Sequence, residues 1–183
     1  MASSAIPGNI GLTPRRILLR WLPTLVWLGM LGVFSTDSFS AENTGSILWK
    51  IVHAVYGGMS ERQFEILHLF VRKGAHFTFY GLLSVFAYYS WKATLPARRI
   101  WTFRWAGLAI AVTLIAGSLD EFHQVFVPSR TASVRDVLLD VTGALFFQIL
   151  IAAFAGGRRR KSSVLQGALA QPESVPAGTP PPA

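Results

Sequence analysis

Between Ser118 and Gly143 the chain reads SLDEFHQVFVPSRTASVRDVLLDVTG, and eight of these side chains can do chemistry. Asp120, Glu121, Asp136 and Asp140 can hold a proton or a cation. His123 can shuttle a proton, Gln124 can donate and accept, and Arg130 and Arg135 can grip an anion. Long apolar runs flank the stretch, Trp105 to Leu119 before it and Val137 to Ala155 after it. An ionisable group at mid-bilayer costs about 2.5–3.5 kcal/mol, so a membrane chain keeps one only with a partner or a use. A second group lies upstream. Lys73, His76 and Tyr80 stand at i, i+3 and i+7, on one face of a helix.

Three chemistries fit these residue types. Lys73, Arg130 and Arg135 suit an anionic headgroup or phosphate. His76 or His123 suits a general base, with Glu121 or Asp136 to orient it. Ser118, Ser129, Thr131 and Ser133 offer hydroxyls nearby, but no G-x-S-x-G elbow is present. His76, Asp120, Glu121, His123 and Asp136 could ligate a metal, yet no H-E-x-x-H pair exists, so no metal and no cofactor is expected. Plainer readings stand beside these. Asp136 at the third position of a helix complements its dipole. Arg130 and Arg135 balance the acids, Tyr80 packs, and His53 and His68 are interfacial. Asp140 resists such a reading. It lies about 5–6 Å deeper than Asp136 among Leu138, Leu139 and Val141, and needs Lys73 or His76 as partner. The predicted binding set is Lys73, His76, Tyr80, Asp120, Glu121, Gln124, Arg130, Asp136 and Asp140.

The elements that must position these groups are membrane helices. Of 183 residues, 51% are hydrophobic and 14% charged, and mean hydropathy is +0.42, high for a soluble domain. With no cysteine, disulfides, thiolate catalysis and Cys-held metals are excluded. The net charge of +8 does not indicate nucleic acid, because the basic residues flank apolar runs instead of forming a stripe. The expected fold is all-α and polytopic. Residues 1–16 form a cytoplasmic segment, 17–155 a four-helix membrane domain, and 156–183 a disordered tail, first basic and then rich in Pro and Ala. Spans are expected over 17–34, from a Ser60 capping box to about Trp91, over 103–126, and from Ser133 to about Ala155. The first is read as an uncleaved anchor. A short amphipathic helix around Ile47–Tyr56 should lie in the outer interface.

Eleven Lys and Arg fall in the N-terminal, second-loop and C-terminal segments, and six (Lys50, Arg62, Arg72, Lys73, Arg130, Arg135) on the opposite side. Both termini are therefore expected in the cytoplasm, with the acids and bases of three helices meeting beneath the outer leaflet.

At these residues the sequence resembles the VanZ-like family of bacterial membrane proteins. Arg72-Lys73-Gly74-Ala75-His76-Phe77 with Tyr80, Leu82 and Leu83 resembles one family block. Asp120-Glu121-Phe122-His123-Gln124 through Pro128, Arg130, Asp136, Asp140 and Gly143 resembles the other. Two positions depart from the pattern: Ser129 replaces a glycine before the arginine, and Arg72 stands where many members carry Asp. The resemblance implies a small multi-span protein of the bacterial plasma membrane and cell envelope. The family is named for a protein associated with reduced susceptibility to the glycopeptide antibiotic teicoplanin. The partner expected on this reading is a membrane lipid or a lipid-linked envelope component, and the rival is a hydrolase or transferase acting on one.

Overall fold

The computed structural model describes residues 13–36, 41–95, 103–127 and 132–169, with side chains described at 13–36, 43–95, 103–127 and 132–157. These residues form five helices: α1 (Pro14–Phe34), α2 (Ala41–Tyr56), α3 (Glu61–Thr94), α4 (Phe103–Gln124) and α5 (Val134–Leu169). No strand occurs among the described residues. Three helices are long and apolar enough to cross a bilayer, Pro14–Phe34, Phe103–Gln124 and Val134–Gly157, with mean hydropathies of 1.7, 1.4 and 2.1.

The distribution of polarity is that of a membrane protein. Leu18, Leu19, Val26, Ile115, Leu119, Ile149 and Phe154 face outward. The interior mixes apolar residues such as Leu83, Ala87, Trp105 and Ala109 with Thr24, Ser84, Thr113 and Asp140, each almost or fully buried. Lipid is as apolar as leucine, so packing and hydrogen bonds between helices, not apolar burial, hold such a bundle together.

Helix α3 is the hub, packed against α1, α4 and α5. It starts at a capping box, where Ser60 N–H donates to Gln63 Oε1 at 3.1 Å and Ser60 Oγ accepts from Gln63 N at 3.4 Å. It continues as helix through Gly74. Helix α1 runs antiparallel to it. Arg20 donates to Ala93 O at one end, Thr24 Oγ1 meets Ser90 Oγ at 2.9 Å, and Trp27 Nε1 donates to Phe79 O at 2.9 Å toward the other. Helix α5 runs parallel to α3, and glycine makes their approach possible. A Cβ on Gly143 would lie 2.2 Å from Phe77 O, and one on Gly81 would lie 2.4 Å from the Phe147 ring. Gln148 Nε2 then donates to Ser84 O at 3.0 Å across the same seam. Helix α4 runs antiparallel to both. Its Trp105 Nε1 donates to Leu95 O at 2.9 Å, and its Gly117 lies against Asp140.

Several boundaries differ from the sequence expectation. Helix α1 begins a turn earlier, with Pro14 in its first turn, where a missing N–H is harmless. Helix α2 begins at Ala41, ahead of its apolar stripe. Helix α5 does not stop near Ala155. It passes Gly156 and Gly157 and reaches Leu169, since the Arg, Lys, Gln, Leu and Ala that follow are good helix formers. The expected N-terminal segment up to residue 12, the tail beyond 169, and Pro128, Ser129, Arg130 and Thr131 lie outside the described residues.

Candidate functional site

The middle of α3, the last turn of α4 and the first turns of α5 bring the acids and bases together. Lys73 of α3 pairs with Asp136 of α5. One turn on, His76 Nδ1 meets Asp140 Oδ1 at 3.3 Å. The turn-by-turn match follows from the parallel course of the two helices, since both advance 1.5 Å per residue. Asp140 therefore takes His76, not Lys73, as its partner. The contrast in burial is large: the Lys73 side chain is 38% exposed and that of Asp140 only 1%.

Glu121, buried at the end of α4, accepts from Ser133 N at 2.6 Å. Its carboxylate thus caps α5 from a neighbouring helix, satisfying an N–H that has no partner within α5 and complementing the positive end of the helix dipole. Both carboxylates expected to orient a histidine base are committed elsewhere, Glu121 to Ser133 and Asp136 to Lys73. The carboxylate that orients His76 is Asp140. His123 stands apart: it is exposed, and its Nδ1 lies 3.3 Å from Ser35 Oγ at the end of α1.

The remaining polar groups floor a half-open cavity of about 330 Å³ between α1, α2, α3 and α4. Its walls are Leu31 and Phe34 of α1, Leu48 of α2, and Val71, Ala75 and Phe79 of α3. At one end stand His76, Tyr80, Asp120 and Gln124, toward the other Arg72, His68 and Thr44, and Ser35 lines it beside His123. Gln124 Nε2 donates to Asp120 Oδ2 at 3.1 Å, joining two residues one turn apart on α4. The Tyr80 ring stacks on His76, centroids 6.0 Å apart, and its hydroxyl faces the Asp120 carboxylate. The volume lies at the lower end of the range for small-molecule sites, and the lining has their usual make-up, mostly apolar with a few convergent polar groups.

Helix α2 roofs the cavity. Its Trp49 meets Phe64 edge-on, centroids 4.8 Å apart, and its Thr44 Oγ1 lies 3.4 Å from His68 Nε2. Gly45 allows this contact, because a Cβ there would stand 3.2 Å from the His68 ring. Ile47, Ile51 and Val55 remain exposed on the far side, the stripe expected of a helix lying in a membrane interface.

Lys73, His76, Tyr80, Asp120, Glu121, Gln124, Asp136 and Asp140 therefore stand in one layer. Of these, His76, Tyr80, Asp120 and Gln124 reach the cavity. Lys73, Glu121, Asp136 and Asp140 tie helices together behind it. Sequence reasoning missed the apolar wall and dismissed His68. The signal was the spacing of four that carries His68, Arg72, His76 and Tyr80 down one stripe of α3. Among the described residues, no three His, Asp or Glu side chains are placed to hold a metal ion.

Outward apolar faces and an interior that mixes apolar with polar side chains fit a helical membrane protein with a cluster of acids and bases between α3, α4 and α5. The chain belongs to the VanZ/LLP1 family, whose model matches residues 20–155, from the first span to the apolar part of α5. No curated protein and no solved structure matches it.

Proposed function

We propose that the protein is a four-span protein of the bacterial plasma membrane that binds a single-chain amphiphile of the envelope in the cavity between α1 and α4. The cavity carries the proposal: six apolar side chains form a wall that leads to one acidic, hydrogen-bonding end. An acyl chain gains about 0.8 kcal/mol per buried methylene against such a wall when it comes from water, and far less when it comes from lipid. Selectivity must then come from the polar end. The fourth span is α3. Its second half, where Tyr80, Leu83, Ala87 and Tyr88 are buried, is covered by neighbouring helices, and its first half turns Ile66, Leu69 and Phe70 outward. The excess of Lys and Arg on the loops and ends expected inside supports an arrangement with both termini in the cytoplasm.

The same cavity supports a link between this chain and lipid-bearing glycopeptides of the teicoplanin type, through their fatty chain. A deletion strain should change in susceptibility to a lipid-tailed glycopeptide and not to its tail-less counterpart.

Binding is tested with a fluorescent fatty-chain probe on the purified full chain in nanodiscs. Ala75→Trp, which fills the cavity, should abolish saturable binding. Leu138→Trp, on the outward face, should leave it intact. Saturable binding that survives Ala75→Trp removes the cavity as the site.

One observation favours a second reading. Asp140 holds His76 by Nδ1, and His76 lines the cavity, as a general base in a hydrolase or transferase would. Turnover of a lipid-linked precursor by the wild-type chain and not by His76→Gln would establish it. Absence of turnover by folded protein leaves binding alone.

A further inference from the structure

We infer, resting on the amphiphile reading above, that the polar end of the cavity takes a cationic hydrogen-bond donor: a primary ammonium carried on an alkyl chain. Asp120 is its counter-ion and Gln124 Oε1 its second acceptor.

Gln124 is 1% exposed, and its amide donates to Asp120 Oδ2 at 3.1 Å. That bond fixes the amide and leaves Oε1 buried with no hydrogen-bond partner among the described residues. A buried acceptor without a donor is costly, and native structures rarely keep one without a use. Asp120 lines the same cavity and forms no ion pair among the described residues. Among the described residues, Lys73 is engaged with Asp136 and His76 with Asp140. Asp120 thus receives the neutral donors Tyr80 O–H and Gln124 N–H but no cation among the described residues, and the site presents acceptors there.

An ammonium satisfies Asp120 and Gln124 Oε1 with three N–H donors. A phosphate would do the reverse. It would set oxygen against Asp120 and Gln124 Oε1, with the carboxylates of Glu121, Asp136 and Asp140 in the same layer. The guanidinium that lines the cavity, Arg72, lies one turn of α3, about 6 Å, from His76 and two turns, about 12 Å, from Tyr80, so an anion would sit toward Arg72 and away from the Tyr80–Asp120 contact. This reverses the anionic preference expected from Lys73 and Arg130 in the sequence.

The test uses three competitors that share one chain: decylamine, decyl maltoside and decyl phosphate. Each displaces the fluorescent fatty-chain probe from the full-length protein in nanodiscs, with empty nanodiscs subtracted. The amine should act at a concentration about tenfold below the phosphate, the gain typical of one charge-assisted hydrogen-bonded pair. Asp120→Asn should bring the two within about twofold. Gln124→Met, which adds no charge, should weaken the amine severalfold. A phosphate that matches or beats the amine on the unaltered chain overturns the inference, whatever the variants do. Equal displacement by all three removes this inference and keeps the amphiphile reading, whereas displacement by none removes both.

Discussion

At the scale of single residues, the two ion pairs differ in burial. The Lys73 side chain is 38% exposed and that of Asp136 only 7%, so their pair stands between a surface and a buried one and is worth about 1–3 kcal/mol. Lys73→Met should lower stability by no more than that in a denaturant titration in micelles. Asp140 is fully buried, and His76 is its one partner among the described residues. His76→Leu should cost about 1–3 kcal/mol, because it leaves a fully buried carboxyl without its hydrogen-bond partner. The double change His76→Leu with Asp140→Leu should recover at least half of that loss. If the double variant is no more stable than the single, the pair is not what holds this layer. Asp140 shows how far the sequence could be read. Its need for a partner was legible from three apolar neighbours. Which of Lys73 and His76 would answer was not, because that depends on the register between α3 and α5, and helix spacing does not encode it.

Register is a property of the elements, and here glycine sets it. The Gly143 backbone rests on Phe77 O, so Gly143→Ala should cost about 3 kcal/mol or more and reduce folded yield. Gly74 has open space where a Cβ would go. Gly74→Ala should therefore stabilise α3, by about 0.5–1 kcal/mol, in the same titration. A neutral Gly143→Ala would mean that α3 and α5 do not meet as described. The helices themselves were largely legible: the Ser60 capping box, the apolar runs and the interfacial stripe of α2 all carry local signals. The continuation of α5 past Gly156 and Gly157 was not, since paired glycines before a basic run read equally well as a helix stop. The cavity was illegible for another reason. Its wall is drawn from α1, α2 and α3, and no local pattern reports that three apolar stripes leave a gap.

At the scale of the molecule, the chain turns its apolar surface outward and keeps Ser, Thr, Gln and acids within. The absence of cysteine makes the topology directly measurable. Single cysteines at Lys50 and Arg62 should react with an impermeant maleimide on intact cells. Those at Arg15 and Arg104 should react only after permeabilisation. The reverse pattern would turn the polar layer to the cytoplasm. The account rests above all on the cavity as an amphiphile site, and photolabelling tests it most directly. A lipid with a diazirine on its acyl chain is irradiated with the protein in nanodiscs, and the adducts are mapped by mass spectrometry. The account predicts adducts at Leu31, Phe34, Val71, Ala75 and Phe79 that an unlabelled single-chain amphiphile suppresses. Adducts confined to outward residues such as Leu19, Ile149 and Phe154, unchanged by competitor, would contradict it.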